Sequence, residues 1–331
     1  MIQAYLQPCE PPIWARNGHV QTLLGHLLPQ AGAPFEAGAD GVSEHQVSLP
    51  SGDRLVVFHR PGSRNSLVHI FHGLSGDANS DYVRHAAQVA SDMGYGVLAV
   101  NHRGSGAGRG LAKGVYHSGC AADLAEVFAW SSQHFGKRPL GIGFSLSGNA
   151  LLLLLARGGK CLPAGAIAIN PPICLKHCSE RISRGWNRIY EARFVRRITR
   201  AMKERQRSGL LPSGFHPPPS RSLREIDEHL TAPLAGFRDA DDYYARCSTH
   251  EMLGSIQQPT VILTAADDPF VAVADFEELD LPASVHLHIE DTGGHVGYLA
   301  RGANALSCER WLAGALRHYL GELEVAGGLT A

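Results

Sequence analysis

The sequence predicts an α/β fold, a mostly parallel twisted sheet with helices on both faces and a helical insertion. Short β-branched segments bounded by turn residues alternate with longer segments of helical periodicity. Two of the short segments, 67–71 and 95–100, are almost continuous apolar runs, which is typical of strands buried on both faces. The alternation stops between about residues 171 and 256, where an arginine-rich segment and a proline cluster favour a helical insertion.

The elements follow one another in an order that divides the chain into three parts. Residues 1–40 are rich in proline and glycine and are predicted to form an arm over the core. Residues 41–170 and 257–325 are predicted to form the core, and 171–256 a helical cap above the sheet's C-terminal edge, where ligands bind in such folds. Predicted strands are 47–49, 55–58, 67–71, 95–100, 139–144, 165–169, 260–265 and 285–289, and predicted core helices are 80–93, 121–134 and 149–156.

Composition limits the class of protein. The chain has 331 residues, of which 44% are hydrophobic and 18% charged, as expected for a globular protein with a large core. Its net charge is −1, from 30 basic and 31 acidic residues. This balance implies no general affinity for nucleic acid, so none is expected as a partner.

Targeting signals and metal sites are not predicted either. Residues 1–12 lack a basic region and an apolar stretch, and the longest apolar run, 150–156, is far shorter than the ~20 residues that span a bilayer. We therefore expect a cytoplasmic protein without a transmembrane segment. Seven scattered cysteines argue against a disulfide framework. Cys174, His177 and Cys178 lack zinc-knuckle spacing and a second ligand pair, so no metal or organic cofactor is expected.

The candidate nucleophile is Ser145, which lies between the predicted strand 139–144 and an apolar helix. A nucleophile at a strand–turn–helix elbow adopts a strained backbone conformation, so residues two positions away on either side must be small. Gly143 and Ser147 meet this requirement, although glycine is usual at the second position. Backbone N–H groups at the helix start would favour negative charge developing at Ser145.

A glycine-containing loop follows the strand 67–71 and has the sequence HGLSG. In hydrolases with such an elbow, this loop supplies one oxyanion donor and the residue after the nucleophile supplies the other. The backbone N–H groups of Leu74 and Leu146 are therefore the predicted oxyanion hole. His72 and Asp77 also match an H-x4-D pattern quoted for acyltransferases, which we interpret as coincidence because both lie on this loop.

The candidate acid and base follow late strands. Asp268 comes directly after the strand 260–265 and before a proline, and Asp267 is the alternative acid. His295 follows two glycines in the loop after the last strand, where a tight turn could bring imidazole to Ser145. The order Ser, Asp, His along the chain is that of α/β-hydrolases.

Several motifs together resemble a known family. Residues 11–22, PPIWARNGHVQT, contain an NGHxQT motif found in YheT-like α/β-hydrolases. The likeness covers about residues 8–320 and continues through segments 72–76, 101–104, 116–119, 143–146, 267–270 and 294–297.

This resemblance implies a carboxylic-ester hydrolase with a triad of Ser145, Asp268 and His295. Family relatives include esterases, lipases, phospholipases and alcohol acyltransferases, so it does not fix a substrate. Ser147 departs from the family's usual glycine, and Ser105 stands where cysteine is frequent.

Two further segments allow other interpretations. Residues 103–110 are glycine-rich but match neither phosphate-loop pattern, which favours a plain loop at the sheet's edge. Residues 181–207 hold ten basic and two acidic residues, with apolar residues spaced four apart, and predict an amphipathic helix. Its arginine-rich face is either simply solvated or contacts anionic lipid surfaces or acidic substrates.

The sequence as a whole predicts a serine esterase that works through an acyl-serine intermediate. One alternative is an alcohol O-acyltransferase with the same triad. The other is a catalytically silent binding protein on the same scaffold.

Overall fold

The computed structural model describes residues 6–28, 32–304 and 306–326. Eight strands form one sheet in the order β1-β2-β4-β3-β5-β6-β7-β8, in which β1–β2 and β2–β4 pair antiparallel and all other neighbours are parallel. The predicted mostly parallel sheet is therefore confirmed. The strands are β1 Ser43–Ser48, β2 Arg54–Arg60, β3 Ser66–Phe71, β4 Gly96–Asn101, β5 Arg138–Phe144, β6 Gly165–Ile169, β7 Thr260–Ala265 and β8 Val285–Glu290, with a separate pair β9 Leu299–Arg301 and β10 Cys308–Arg310.

Helices cover both faces of this sheet, and apolar side chains fill a layer on each face. One layer packs the strands against α3 and α4, and the other packs them against α2 and α10. Because the central strands contact helices on both sides, β3, β4, β6 and β7 are buried along their whole length. The core helices are α2 Asp81–Asp92, α3 Ala121–Phe135, α4 Leu146–Arg157 and α10 Trp311–Ala326.

The segments at 6–28 and 171–256 differ in detail from the expectation. The first contains a ten-residue helix, α1 Gly18–Leu27, whereas no periodic element was predicted there. The regular elements between β6 and β7 are all helical, but the prediction of a single helix over 181–207 is wrong. The chain turns at Gly185 with a φ of 55° and divides this segment between two helices. The helices are α5 Leu175–Ile182, α6 Arg188–Arg207, α7 Leu223–Ile226, α8 Ala232–Ala235 and α9 Ala240–Cys247.

Membrane-spanning helices were searched for within the described part of the chain. None of the helices there combines the length and the apolarity that crossing a bilayer requires.

Candidate active site

Ser145 occupies a sharp turn between the end of β5 and the start of α4. Its φ of 52° and ψ of −119° are unfavourable for a residue with a Cβ, and such strain often accompanies functional sites. A Cβ on Gly143 would lie 2.6 Å from the carbonyl oxygen of Ser147, so glycine is required for this turn. The Ser145 N–H donates to the Ile169 carbonyl at 2.8 Å, which anchors the turn to β6.

Ser147, the unusual residue of this turn, is completely buried and hydrogen-bonded. Its hydroxyl donates to the His72 carbonyl at 2.5 Å and lies 2.7 Å from both His102 Nε2 and the Tyr116 hydroxyl. Burial lowers the pKa of His72 to about 4 and that of His102 well below its usual value, so both imidazoles are neutral near pH 7. The extra hydroxyl of Ser147 thus connects the elbow to the loop after β3.

A chain of hydrogen bonds joins Ser145, His295 and Asp268. His295 Nε2 lies 2.8 Å from Ser145 Oγ, and His295 Nδ1 lies 2.8 Å from Asp268 Oδ2. Asp268 is fully buried, and its Oδ1 accepts from the N–H groups of Phe270 and Val271 at 2.7 and 3.1 Å. A carboxylate held in this way can fix the imidazole tautomer that accepts a proton from serine.

Asp267, the alternative acid, points instead to the backbone of residues 291–297, the histidine loop that carries His295. Its Oδ1 accepts from the N–H groups of Gly293 and Gly294 at 2.9 and 2.8 Å. Burial raises the pKa of the Asp267 carboxyl above its usual value, and these two N–H groups oppose the shift. The side chain therefore holds the loop that carries His295 and makes no hydrogen bond to its imidazole among the described residues.

Asn170, directly after β6, was not identified from the sequence. Its Nδ2 donates to Asp268 Oδ2 at 2.7 Å and to the Gly294 carbonyl at 3.2 Å, and its Oδ1 accepts from the Tyr298 hydroxyl at 3.0 Å. Its φ of 46° is a conformation that asparagine tolerates better than most residues. An asparagine at the carboxyl end of a central strand was the signal that could have revealed it.

The NGHxQT motif packs against the same histidine loop. A Cβ on Gly18 would lie 1.8 Å from the Asp267 carbonyl oxygen, so helix α1 can approach the neighbouring loop after β7 only at a glycine. Thr22 Oγ1 accepts from the His295 N–H at 2.8 Å and donates to the Gly18 carbonyl at 2.7 Å. The buried amide of Gln21 bonds both the N–H and the carbonyl of Leu299. The motif thus holds in place the backbone of the segment that carries His295.

Both predicted oxyanion donors line the cavity that also contains Ser145 and His295. Neither the Leu74 nor the Leu146 N–H has a hydrogen-bond acceptor among the described residues. The neighbouring Gly73 N–H is engaged by the Tyr82 hydroxyl at 2.9 Å. Both leucine N–H groups are therefore available to an acceptor bound in the cavity beside Ser145.

This cavity has a volume of about 790 Å³, within the ~300–1,000 Å³ typical of small-molecule sites. The core supplies the reactive groups on one side. The segment between β6 and β7 supplies mostly apolar walls, among them Leu175, Ile182, Phe194, Ile198, Met202 and Leu230.

Two other sequence motifs, the H-x4-D pattern and the glycine-rich loop 103–110, make structural hydrogen bonds and ion pairs. His72 is buried, with Nδ1 bonded to the Gly73 carbonyl and Nε2 accepting from the His102 N–H, so it is not paired with Asp77. In the glycine-rich loop 103–110, Arg103 forms ion pairs with Asp53 and Asp123, and no regular α-helix begins directly after this loop.

Comparison with known proteins agrees with this fold. Residues 67–301 match the family described as the alpha/beta hydrolase fold. The chain is 33% identical to "Putative esterase YheT" of Escherichia coli (strain K12), over 92% of this chain and 90% of that protein. It is 25% identical to human "Phospholipase ABHD3", over 87% of this chain and 73% of that protein. Among solved structures, an esterase of Pyrococcus furiosus, Pf2001, superposes with a TM-score of 0.61 at 16% identity, over 90% of this chain and 98% of that chain.

The match to the fold family covers more than half of the sequence. The similarity to the Escherichia coli protein extends over nearly the full length of both chains. The chain therefore belongs to the YheT-like family of α/β-hydrolase esterases.

Proposed function

We propose that this enzyme is a serine carboxylic-ester hydrolase with Ser145, His295 and Asp268 as its catalytic triad. The observation that carries the proposal is the continuous hydrogen-bonded chain from Asp268 Oδ2 through His295 to Ser145 Oγ, with both links at 2.8 Å. The apolar walls of the cavity suit an acyl chain. We also propose that residues 171–256 form a cap, distinct from the core 41–170 and 257–325 and the N-terminal segment 1–40.

In this mechanism Ser145 Oγ attacks the ester carbonyl carbon while His295 Nε2 takes the serine proton. The oxygen of the tetrahedral intermediate accepts hydrogen bonds from the N–H groups of Leu74 and Leu146. His295 then protonates the leaving alcohol, which yields an acyl-Ser145 ester. Water, deprotonated by the same imidazole, releases the carboxylic acid and restores Ser145. Asp268 stabilises the imidazolium in both halves.

The proposal is tested with Ser145→Ala and p-nitrophenyl esters from acetate to palmitate. Loss of the nucleophile should lower turnover at least about 10³-fold, as removal of a triad member usually does. A fluorophosphonate probe should label the wild type at Ser145 and leave the variant unlabelled. Turnover close to wild type in the variant would overturn the assignment, and absence of labelling in the wild type would favour a silent binding protein.

Acyl transfer to an alcohol is a second candidate. The chain is 26% identical, over 72% of its length, to a yeast protein named "Medium-chain fatty acid ethyl ester synthase/esterase 2", of which it covers 59%. The same acyl-Ser145 could be attacked by an alcohol in place of water. Ester synthesis that exceeds hydrolysis at modest alcohol concentration would identify a transferase, and hydrolysis alone would identify an esterase.

We further propose that the segment 181–207 contacts anionic lipid surfaces. Trp186, just before α6, and Ile189, in its first turn, are 77% and 64% exposed, and exposed arginines such as Arg193 and Arg196 follow on α6. Exposed apolar side chains beside cations suit the boundary between lipid headgroups and acyl chains.

Sedimentation with vesicles tests this contact. Binding should require anionic phosphatidylglycerol and should weaken in Ile189→Ala. Leu306→Ala, at an 85% exposed apolar residue elsewhere, is the matched control. Equal binding to neutral vesicles, or equal loss in both variants, would contradict the contact.

We also propose that the protein is cytoplasmic. All seven cysteines are free thiols in the structure, and free thiols persist in a reducing compartment.

A further inference from the structure

Three side chains of the types that bind zinc meet where the helical segment joins the core. Cys174 directly precedes α5, and His177 lies in the first turn of that helix. Asp275 lies in the short 3-10 helix Val273–Phe276, seven residues after Asp268. The thiol sulfur, an imidazole nitrogen and a carboxylate oxygen all lie within 4.8 Å of one another. The ester-hydrolysis mechanism uses none of these three groups.

The carboxylate of Asp275 shows that the cluster is incomplete as it stands. The residue is 6% exposed, and its Oδ1 lies 2.6 Å from His177 Nδ1. Its Oδ2 is buried and has no hydrogen-bond partner among the described residues. A buried oxygen without a partner costs free energy and calls for a bound group.

We propose that Cys174, His177 and Asp275 bind one Zn²⁺ ion. Thiolate, imidazole and carboxylate are the ligands zinc prefers, and a water molecule can take the fourth position because the His177 side chain is 60% exposed. Tetrahedral zinc needs ligand atoms about 3.4–3.6 Å apart, so side-chain shifts on the order of 1 Å complete the site. On binding, the Cys174 thiol releases its proton to solvent, and the ion replaces the hydrogen bond between His177 and Asp275.

Such an ion would tie two distant parts of the chain together. His177 and Asp275 are 98 residues apart in sequence. One lies on the first helix after β6, and the other on the segment that follows the candidate triad acid. Zinc here would therefore be structural, fastening the start of residues 171–256 to the core beside the cavity.

The test uses the full chain, stripped of metal with a chelator and titrated with Zn²⁺. Gel filtration followed by metal analysis should give one zinc per chain. Co²⁺ in its place should give a thiolate-to-metal charge-transfer band. Cys174→Ser should weaken binding at least about 100-fold, the upper end of what losing a merely supporting residue costs. Cys161→Ser, at a free thiol outside the cluster, should keep both signals.

His177→Ala provides a second variant, because the His177 side chain is 60% exposed and its loss removes no packing from the core. It should also weaken Zn²⁺ binding and should fold like the wild type by circular dichroism. Failure of the wild type to retain zinc would overturn the site. Wild-type affinity in either Cys174→Ser or His177→Ala would overturn it as well, whatever the outcome for ester hydrolysis.

Discussion

The central sheet and helix α6, which lies in the helical segment 171–256, bury their residues to very different extents. Strands β3, β4, β6 and β7 are buried at every position. Helix α6, by contrast, buries only Glu191, Val195 and Arg205 of its 20 residues. The sheet can therefore hold reactive groups in fixed positions, while α6 has few buried apolar contacts to restrict it.

The same contrast divides the cavity between the two regions. Residues at the carboxyl ends of strands and in the loops that follow them supply the hydrogen-bonded chain. The helical segment supplies side chains that line the rest of the cavity. We infer that reaction chemistry depends on the sheet and substrate choice on the helices. Substitutions in each region test this division.

Asp268→Asn should lower kcat for ester hydrolysis about 10⁴-fold, because an amide can donate to His295 Nδ1 and hold the imidazole in the wrong tautomer. Asp267→Asn is the matched control. Its side-chain oxygen can still accept from the N–H groups of Gly293 and Gly294, so we expect at most about a tenfold loss. Steady-state kinetics on p-nitrophenyl butyrate measures both. Equal losses, or a larger loss in Asp267→Asn, would contradict the choice of acid.

Much of the sheet was predictable because its signals are local. Buried parallel strands are short apolar runs bounded by turn residues, and the observed bounds of β6 and β7 coincide with those predicted, 165–169 and 260–265. Ser145, Asp268 and His295 could be predicted as neighbours because each follows a strand, and the carboxyl ends of parallel strands lie along one edge of the sheet.

Long-range contacts were not predictable in this way. The buried hydrogen bonds of Asn170 and Thr22 join residues 98 and 273 positions apart, and no periodicity records them. The turn at Gly185 was missed because the basic and apolar pattern continues across it. Because α6 is so exposed, the spacing of its apolar residues does not show clearly where the helix begins.

Ser147→Ala should lower the free energy of unfolding by about 2–3 kcal/mol. It leaves the buried His102 Nε2 without its partner and removes one of the groups bonded to the His72 carbonyl. Urea denaturation measures the change. Ser63→Ala, at an exposed position, should stay within about 0.5 kcal/mol of wild type. Equal stability of both variants would show that the sheet tolerates the loss of this network.

The helical segment can be tested through the pH dependence of stability that Asp227 contributes. Its burial raises the pKa of the carboxyl from 3.8 to about 6, although the Tyr244 and Thr231 hydroxyls donate to it. A raised carboxyl pKa stabilises the folded state most below the unfolded value of 3.8, and this contribution is lost as pH rises through 6.

Asp227→Asn has no proton to lose, so its stability relative to wild type should improve by about 1–2 kcal/mol between pH 4 and 6.5, allowing for partial exposure. Urea denaturation across this range measures the difference. A constant difference over the range would show that the carboxyl is solvated in the folded protein and that this part of the segment is open to water.

The smallest effect should come from the cavity wall. Ile198 lines the cavity from α6, and Ile198→Trp would fill part of the space beside Phe194 and Met202. We expect kcat/KM for p-nitrophenyl dodecanoate to fall about 5- to 10-fold while butyrate hydrolysis changes little, since one methylene more or less in an apolar pocket is worth about 1–3 kcal/mol.

Ile189→Trp is the matched control for this change, because it makes the same substitution on the same helix at a residue that is 64% exposed. Its preference for chain length should equal that of wild type with esters kept below their aggregation limit. If Ile198→Trp lowers butyrate and dodecanoate hydrolysis equally, α6 influences the reacting groups themselves. The separation between a reactive sheet and a selective helical segment would then fail, because packing at the cavity wall would be transmitted to Ser145.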